Sequence, residues 1–518
     1  MSTRSILICI GTTLVATFSL ADSPTVAQTA NQGNSSLESK VVEQQKQIDE
    51  LKSMLQGQNQ LLNQLIQQNQ NGQLQGGQSQ NQSTFQYSSS QSNLQPEAVM
   101  GSGNSGILLE DKPKAPKPIN DGYKGGFTLM GPISDLKDGK PKFTMNIGSW
   151  GQLRHNFFDS DGPTLDQNDL EFERLRLTFN GYAYNPNFTY SFQFDADSDS
   201  GAGAQNVDML DYYGTYDFGN DWFGAPKKAL RLRFGRWKVG FNRAREESGT
   251  KMQFSDRSTA SVLFDFDRSI AVGLLGEMTP WMGENLAWEL TLTNGIDNAG
   301  FRPSRAGQLD RNLGVSTRIN WLLTGDWGKD GHADLEFRDA PAIRLGSGFT
   351  YTRPDREGAN EFNFPRVVDT GANINTVLPA GVSAYNLFMF ANDINIKYQG
   401  FSLICETYYR QIAGFSGGGL PKFSDYGVWF ETGYFIVPQR VQLISRYAYI
   451  EGNSATLGTL NRSFDELGSG VVFYFNKHNS KLTFDVSSFN GSPAQDSALN
   501  VRAGDDGILY RTTYQWKF

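Results

Sequence analysis

A run of basic residues stands out in a chain whose overall charge is negative. The chain has 518 residues and a net charge of -8, yet residues 227–257 hold ten lysines and arginines against three acids, a local net of +7. Guanidinium groups present several donors in a fixed fork that matches phosphate and carboxylate oxygens. Such a cluster raises the local concentration of anions, so this run predicts an anion-binding constriction.

The candidate site combines most of this run with two arginines from an earlier segment. Its members are Arg231, Arg233, Arg236, Lys238, Arg243, Arg245, Lys251, Arg257, Arg174 and Arg176. In Leu230–Phe234 the arginines alternate with apolar residues, so a strand would place both arginines on one face. A register shift at Gly235 would keep Arg236 and Lys238 on that face and turn Trp237 to the other.

The alternative interpretation of the cluster is that ordinary wall charges are neutralised locally. The acids available for this are Asp195, Asp197, Asp211, Asp217 and those of the loop that follows. Both interpretations stay open on the sequence alone.

Two other motifs carry weaker chemical signals. Gly414–Gly418 fits the G-x-S-x-G pattern, but it lies in a glycine-rich stretch with no helix to follow it. Asp195, Asp197 and Asp199 are spaced as in a calcium loop, but Asn206 stands where a bidentate glutamate is needed. We therefore predict no catalytic residue, no metal site, no cofactor and no enzymatic activity.

Alternating strands are the elements that would position the basic residues. The end of the chain shows the pattern most clearly, with these residues on one face: Ile508, Tyr510, Thr512, Tyr514, Trp516 and Phe518. A soluble sheet could show the same pattern once, so the prediction depends on its recurrence. Similar segments recur from about residue 141 onward, with starts near Asn392, Val428 and Ser469 among others, and we count about sixteen strands.

Hydropathy and connection lengths define the fold class. No run of about 18 apolar residues follows the N-terminus, which excludes a helical membrane protein. The mean hydropathy of -0.45 suits a barrel with alternating polarity, although a soluble β-rich protein would have a similar value. Short and long connections alternate, as in bacterial outer-membrane barrels. We predict an all-β, transmembrane antiparallel β-barrel of about 16 strands, whose interior is too wide for side chains to fill.

Two connections depart from this pattern, because they are long for the short-turn side of the barrel. They lie at about Leu322–Asp339 and Gly219–Lys228.

The N-terminal part has a different organisation. Residues 1–21 read as a signal peptide, which leaves Cys405 as the single cysteine. Residues 34–70 carry heptads with Val41 and Ile48 at two of the a positions, which favours a self-associating periplasmic coiled coil over a lone amphipathic helix. Residues 71–120 form a predicted disordered linker rich in Gln, Ser and Pro, and the barrel domain covers residues 122–518.

Residues 122–275 resemble the phosphate-selective porin O and P family. The resemblance rests on several short motifs, among them Phe172–Leu177, Gly235–Phe241 and Asp256–Ser258, and on the terminal Tyr514–Phe518. It implies a trimeric outer-membrane channel of sixteen strands in which the third long loop narrows the pore.

These observations favour a porin for passive diffusion of small hydrophilic solutes, biased toward phosphate-like anions. One alternative is a general or sugar-type porin. Another is a barrel anchor whose coiled coil tethers the outer membrane to the cell wall. The predicted partners are small anionic or hydrophilic solutes, outer-membrane lipids and further copies of the chain in a homotrimer, but not nucleic acid.

Overall fold

The computed structural model describes most of the predicted barrel domain. The described residues are 127–130, 142–162, 165–196, 207–277, 285–296, 312–329, 331–357, 359–368, 370–491 and 506–518. The predicted signal peptide, coiled coil and linker (residues 1–21, 34–70 and 71–120) lie outside them. Within the described ranges, no helix is long and apolar enough to cross a membrane.

Seventeen strands make up most of the described chain. They are β1 (Phe127–Met130), β2 (Phe143–Ser160), β3 (Gln167–Ala183), β4 (Phe188–Asp195), β5 (Asp208–Tyr216), β6 (Arg231–Lys238), β7 (Arg268–Gly276), β8 (Leu286–Thr293), β9 (Gly314–Thr324), β10 (Ala342–Thr352), β11 (Ala384–Tyr398), β12 (Phe401–Ser416), β13 (Phe423–Val437), β14 (Val441–Gly452), β15 (Arg462–Asn476), β16 (Ser480–Asn490) and β17 (Gly507–Lys517). The described helical segments are short: Phe218–Phe223, Arg243–Glu246, Thr259–Leu263 and Ala359–Asn363, with 3-10 turns at Gly249–Lys251 and Ile374–Thr376.

Strands β2–β17 form a closed antiparallel ring. Each strand pairs with its neighbour in sequence, and β17 pairs with β2 to close the ring. Closure gives the strand backbones internal partners, which a membrane-spanning sheet requires. The predicted barrel of sixteen strands is therefore confirmed.

The alternation of side chains explains why these segments form strands of a barrel. In β13, Tyr426, Phe430 and Tyr434 point outward and are 40–55% exposed, whereas Trp429 and Glu431 between them are almost fully buried inside. The same alternation runs through β17, as predicted. The outer face is therefore apolar and aromatic, and the inner face carries most of the charge.

Several strand starts were predicted too late. β11, β13 and β15 begin at Ala384, Phe423 and Arg462, five to eight residues before the predicted starts. The outward positions at these ends include polar residues such as Asn386 and Ser463. The apolar periodicity fades there, although the backbone pairing continues.

β1 lies on the edge of β2 that β17 leaves uncovered. β17 follows β2 as far as Phe518, whose N–H donates to Ser149 O (2.8 Å). β1 takes up the next stretch, with Phe127 opposite Ile147, while β3 occupies the other edge of β2. The short strand thus pairs with backbone groups that an open edge would leave unsatisfied.

Two connections fold into the barrel and fill much of its interior. The first, here called the inner loop (residues 239–267), joins β6 to β7 and is buried along most of its length. The second, the turn segment (residues 325–341), joins β9 to β10 at the terminal rim, where β2 begins and β17 ends. The two meet where Gly331 packs against Lys251. The barrel is too wide for side chains alone, and folded backbone occupies part of the lumen.

An apolar core lies beneath the inner loop on one side of the lumen. It joins Phe241 and Phe264 of the inner loop, Val368 and Leu378 of the β10–β11 connection, and inward residues of β11–β15 such as Tyr408. This side therefore resembles the interior of a soluble protein.

Candidate functional site

Buried carboxylates on the barrel wall hold the backbone of the inner loop. Loop N–H groups donate to three of them: Arg243 and Ala244 to Glu406 (2.6 and 3.1 Å), Ser255 to Asp485 (3.1 Å), and Thr259 to Glu466 (2.8 Å). These carboxylates stand on β12, β16 and β15. The loop is therefore fastened at several points to a rigid wall.

Basic wall side chains hold the carbonyl groups of the same loop. The donors are Arg318 to Phe241 O (3.0 Å), Arg410 to Leu263 O (3.3 Å), Arg446 to Asp256 O (2.7 Å) and Lys481 to Met252 O. None of these wall residues, acidic or basic, was predicted as part of the site. Their signal was present, because each is a charged residue at an inward position of a strand whose outward positions are mainly apolar.

Local capping shapes the inner loop between its attachments. Asn242 begins the helix Arg243–Glu246, and its side chain accepts from Arg245 N (2.8 Å). Ser258 does the same for Thr259–Leu263 through Ser261 N (3.2 Å). Such caps satisfy backbone donors that would otherwise be left unpaired at a buried helix start.

The predicted basic residues of β6 reach different surroundings. Arg231 forms an ion pair with Glu277 (2.7 Å). Arg233 donates to Thr215 Oγ1 (3.0 Å), and its guanidinium lies 4.6 Å from the ring centre of Tyr213. Cation–π contact supports the charge of Arg233 without neutralising it.

The register after Gly235 differs from the prediction. Trp237 does not face outward: it is 2% exposed, and its indole N–H donates to the inward Glu289 (3.1 Å). Gly235 has a φ of 123°, yet β6 pairs with β5 and β7 through it without a shift, so the predicted change of register is absent and Trp237 shares the face of Arg231 and Arg233. Arg236 is also buried and donates to Leu210 O (2.7 Å).

The inner loop carries four members of the predicted site. Arg243 pairs with Glu247, Arg245 pairs with Asp265, and Lys251 lies 4.0 Å from Glu247. Arg257 differs from these three, because it donates to two backbone carbonyls, Ala244 O (3.0 Å) and Glu247 O (3.1 Å). Lys238 of β6 donates to the same Glu247 carbonyl (3.3 Å), so Lys238 and Arg257 converge there.

The two earlier arginines stand on β3, facing the inner loop. Arg174 pairs with Asp256 of the loop (3.1 Å) and with Glu173 (2.8 Å). Arg176 pairs with Asp195 (2.8 Å). The structure thus brings strand and loop members of the predicted site together across the lumen.

Nearby carboxylates neutralise much of the charge of the basic cluster, but not all of it. Six of the ten residues have a carboxylate partner: Arg174, Arg176, Arg231, Arg243, Arg245 and Lys251. Of the acids considered for this role, Asp195 serves it, Asp211 pairs with Arg268 instead, and Asp217 caps a helix. Asp197 lies outside the described residues. Among the described residues, Arg233, Lys238 and Arg257 have no carboxylate within ion-pair distance.

The electrostatics of the inner loop reflect this arrangement. Burial alone would raise the pKa of Glu247, but the guanidinium of Arg243 outweighs it and holds the pKa at about 2. Burial and the nearby Arg245 and Arg174 lower the pKa of Arg257 to about 9. A nearby anion would therefore stabilise the charge of this buried guanidinium.

Partly exposed inward side chains mark the part of the lumen that stays open to water. Inward side chains of β11–β17 are nearly all buried, whereas those of β3–β6 remain partly exposed, including Thr178, Asn180, Ser191, Tyr213 and Arg233. We call the inner side of β3–β6 the accessible wall. A solute crossing the barrel would pass along it. No group of three or more His, Cys, Asp or Glu side chains in the described ranges could hold a metal ion.

The closed ring of sixteen strands, with its aromatic outer face and inward-folded loop, defines a porin-type β-barrel of the outer membrane. Residues 142–301 match the family model of the phosphate-selective porin O and P family, which confirms the resemblance for this part of the chain. No curated protein matches the chain.

Several solved structures are similar in fold. OmpT, an outer membrane protein of Vibrio cholerae, is 10% identical with a TM-score of 0.47, covering 74% of this chain and 100% of that chain. An anion-selective porin from Comamonas acidovorans is 9% identical with a TM-score of 0.49, covering 73% and 100%. OprB of Pseudomonas putida is 10% identical with a TM-score of 0.43, covering 73% and 94%.

Proposed function

We propose that this porin lets small hydrophilic solutes diffuse across the outer membrane and favours anions, including phosphate-like oxyanions. The observation that carries the proposal is the set of three basic residues without a carboxylate partner in the described chain: Arg233, Lys238 and Arg257. They stand along the accessible wall and the loop that narrows it.

The physical argument is one of local potential. A narrow aqueous path between low-dielectric walls focuses the field of nearby charges. The paired arginines contribute little net charge, so the unpaired groups set the sign. Arg233 and Lys238 are partly exposed, whereas Arg257 is buried, and Arg233 keeps its charge on the ring of Tyr213.

The test is the reversal potential of purified protein in planar bilayers under a salt gradient, repeated with phosphate competing against chloride. We expect anion selectivity and a block of chloride current by phosphate. Arg233→Gln should lower the anion-to-cation permeability ratio several-fold. Lys227→Gln is a charge-matched control on the exposed terminal rim and should leave the ratio unchanged. Cation preference in the unmodified protein would contradict the proposal.

A general porin is the second candidate, and the six carboxylate-paired basic residues favour it. In that case the reversal potential would lie near zero, and Arg233→Gln would have no more effect than Lys227→Gln. Phosphate would then leave chloride current unchanged.

We further propose a homotrimer in which residues 34–70 self-associate as a coiled coil in the periplasm. Deletion of residues 34–70 separates this role from cell-wall tethering. Loss of trimers and of conductance would support assembly, whereas intact conductance with a weakened envelope would support a tether. A trimeric, fully conducting variant with a normal envelope would contradict both roles.

A further inference from the structure

One of the two unusually long turns forms an ordered aromatic platform at the terminal rim. The β5–β6 connection contains the helix Phe218–Phe223. The Asp217 side chain accepts from Asn220 N (3.2 Å) and Lys228 N (2.6 Å). Gly224 ends the helix with a φ of 62°. The connection is therefore a defined structure that presents particular side chains.

Large aromatic side chains of this platform are exposed. Trp222 is 67% exposed and Phe223 is 71% exposed, and Tyr184 of the neighbouring turn reaches 83%. A monomeric surface rarely leaves such a cluster uncovered without a reason. Burial of these rings against an apolar partner would be favourable.

The platform continues the outward face of the barrel. Trp222 packs on Tyr216 with ring centres 5.7 Å apart. Tyr216 stands opposite Phe188 in the sheet, and the Phe188 ring lies 6.2 Å from that of Phe234, an outward residue that is 43% exposed. The aromatic outer face of these strands thus continues onto the side chains of the helix.

Two lysines border the aromatic rings. Lys227 and Lys228 follow the helix and are exposed, and Lys228 Nζ lies 3.0 Å from Glu277. Aromatic rings at the level of the headgroups, with lysine ammonium groups reaching into the polar layer, are typical of a membrane interface.

We propose that this rim platform (Tyr184, Tyr216, Trp222, Phe223, Lys227 and Lys228) is seated in the phospholipid interface next to the terminal rim. The aromatic rings lie at the boundary between headgroups and acyl chains, and the lysines face lipid phosphates. The platform fixes the height of the barrel in the bilayer at β3–β6, the strands that form the accessible wall. This interaction is independent of the solute that the pore carries.

The test is fluorescence quenching of the full folded protein in bilayers of phosphatidylcholine that carries bromine atoms near the headgroup or near the chain ends. The signal of Trp222 is the difference between the unmodified protein and Trp222→Phe. We expect bromine near the headgroup to quench most of it and bromine near the chain ends to quench much less. Folding of each variant is checked by its heat-dependent mobility in detergent gels.

Two control variants give the quenching expected of a lipid-exposed tryptophan and of a buried one. Trp321→Phe removes an outward tryptophan of β9 (39% exposed) and should remove a lipid-quenched component. Trp429→Phe removes a tryptophan that is 2% exposed inside the barrel and should not. If neither lipid quenches the Trp222 signal, the platform is covered by water or by another protein chain and the proposal is wrong. Cross-linking from Trp222→Cys would then separate those two outcomes.

Discussion

The inner loop begins in close contact with Gly348 of β10. A Cβ at this position would lie 1.9 Å from Phe241 O. The same carbonyl accepts from Arg318 Nη1 (3.0 Å). Because Gly348 has no side chain, the backbone of the inner loop can start in direct contact with the barrel wall.

Gly348→Ala should displace the start of the inner loop and destabilise the barrel by about 1–3 kcal/mol, because the added methyl group overpacks a fixed contact. Gly381→Ala is the matched control, since a Cβ there has nothing within 4 Å. Thermal unfolding in detergent and single-channel conductance measure the two effects. Equal behaviour of the two variants would show that the loop does not depend on this contact.

Strand periodicity predicted the residue-scale site only in part. It placed Arg231 and Arg233 on the inner face correctly, because period two holds along an undistorted strand. The expected register shift at Gly235 was wrong: the pairing runs through it unbroken, so the same alternation that holds for Arg231 and Arg233 also turns Trp237 inward. Asp195 and the acids of the following loop were expected as carboxylate partners, but the individual pairs could not be predicted, because residues such as Asp265 and Asp256 take their places through the fold of a long loop.

At the scale of elements, the attachment of the inner loop depends on a few buried wall carboxylates. Glu406 accepts from two loop N–H groups, from Tyr408 Oη (2.7 Å) and from Trp429 Nε1 (3.2 Å). All four partners are donors, so an ionised carboxylate is matched to this place. A glutamine would bring a donor against donors.

Glu406→Gln should loosen the first part of the inner loop, because a buried donor left unpaired costs about 1–3 kcal/mol. We expect larger fluctuations of the open-channel current with the barrel still folded. Glu451→Gln is the control, because that carboxylate contacts Asn461 and Tyr449 and has no inner-loop contact in the described chain. A current trace of Glu406→Gln as quiet as that of the control would rule out this anchoring role.

The number and pairing of the strands followed from sequence because the aromatic alternation recurs many times. Two features of the connections did not follow. The long turns near residues 219–228 and 322–339 were recognised as unusual, but one forms a rim helix and the other enters the lumen. Their destinations depend on contacts with distant strands, which local periodicity does not encode.

At the scale of the whole molecule, β1 makes closure of the ring depend on residues that precede the sixteen-stranded barrel. It adds four residue pairs to the edge of β2 beyond the end of β17. The pairing includes a side-chain hydrogen bond from Thr128 Oγ1 to Asn146 Oδ1 (3.1 Å). Closure of the seam is thus shared between the two ends of the described barrel.

A truncation that removes residues 22–130 should therefore unfold at a temperature several degrees below one that removes residues 22–120, because each lost hydrogen bond contributes about 0.5–1.5 kcal/mol. Heat-dependent mobility in detergent gels measures this difference. Both variants lack the predicted coiled coil, so the comparison isolates β1. Identical unfolding temperatures would mean that the added pairing contributes nothing to closure.

One side of the lumen is buried beneath the inner loop and the other stays open to water. The two sides of the barrel are therefore under different evolutionary constraints. Substitutions at inward positions of β11–β17 alter packed contacts, so selection acts on them through folding. Substitutions at exposed positions of the accessible wall change the surface along which solutes would pass, so selection acts on them through permeability. A lineage moving to a new nutrient supply can therefore retune its permeability through a few codons of β3–β6, while the other half of the barrel preserves the scaffold.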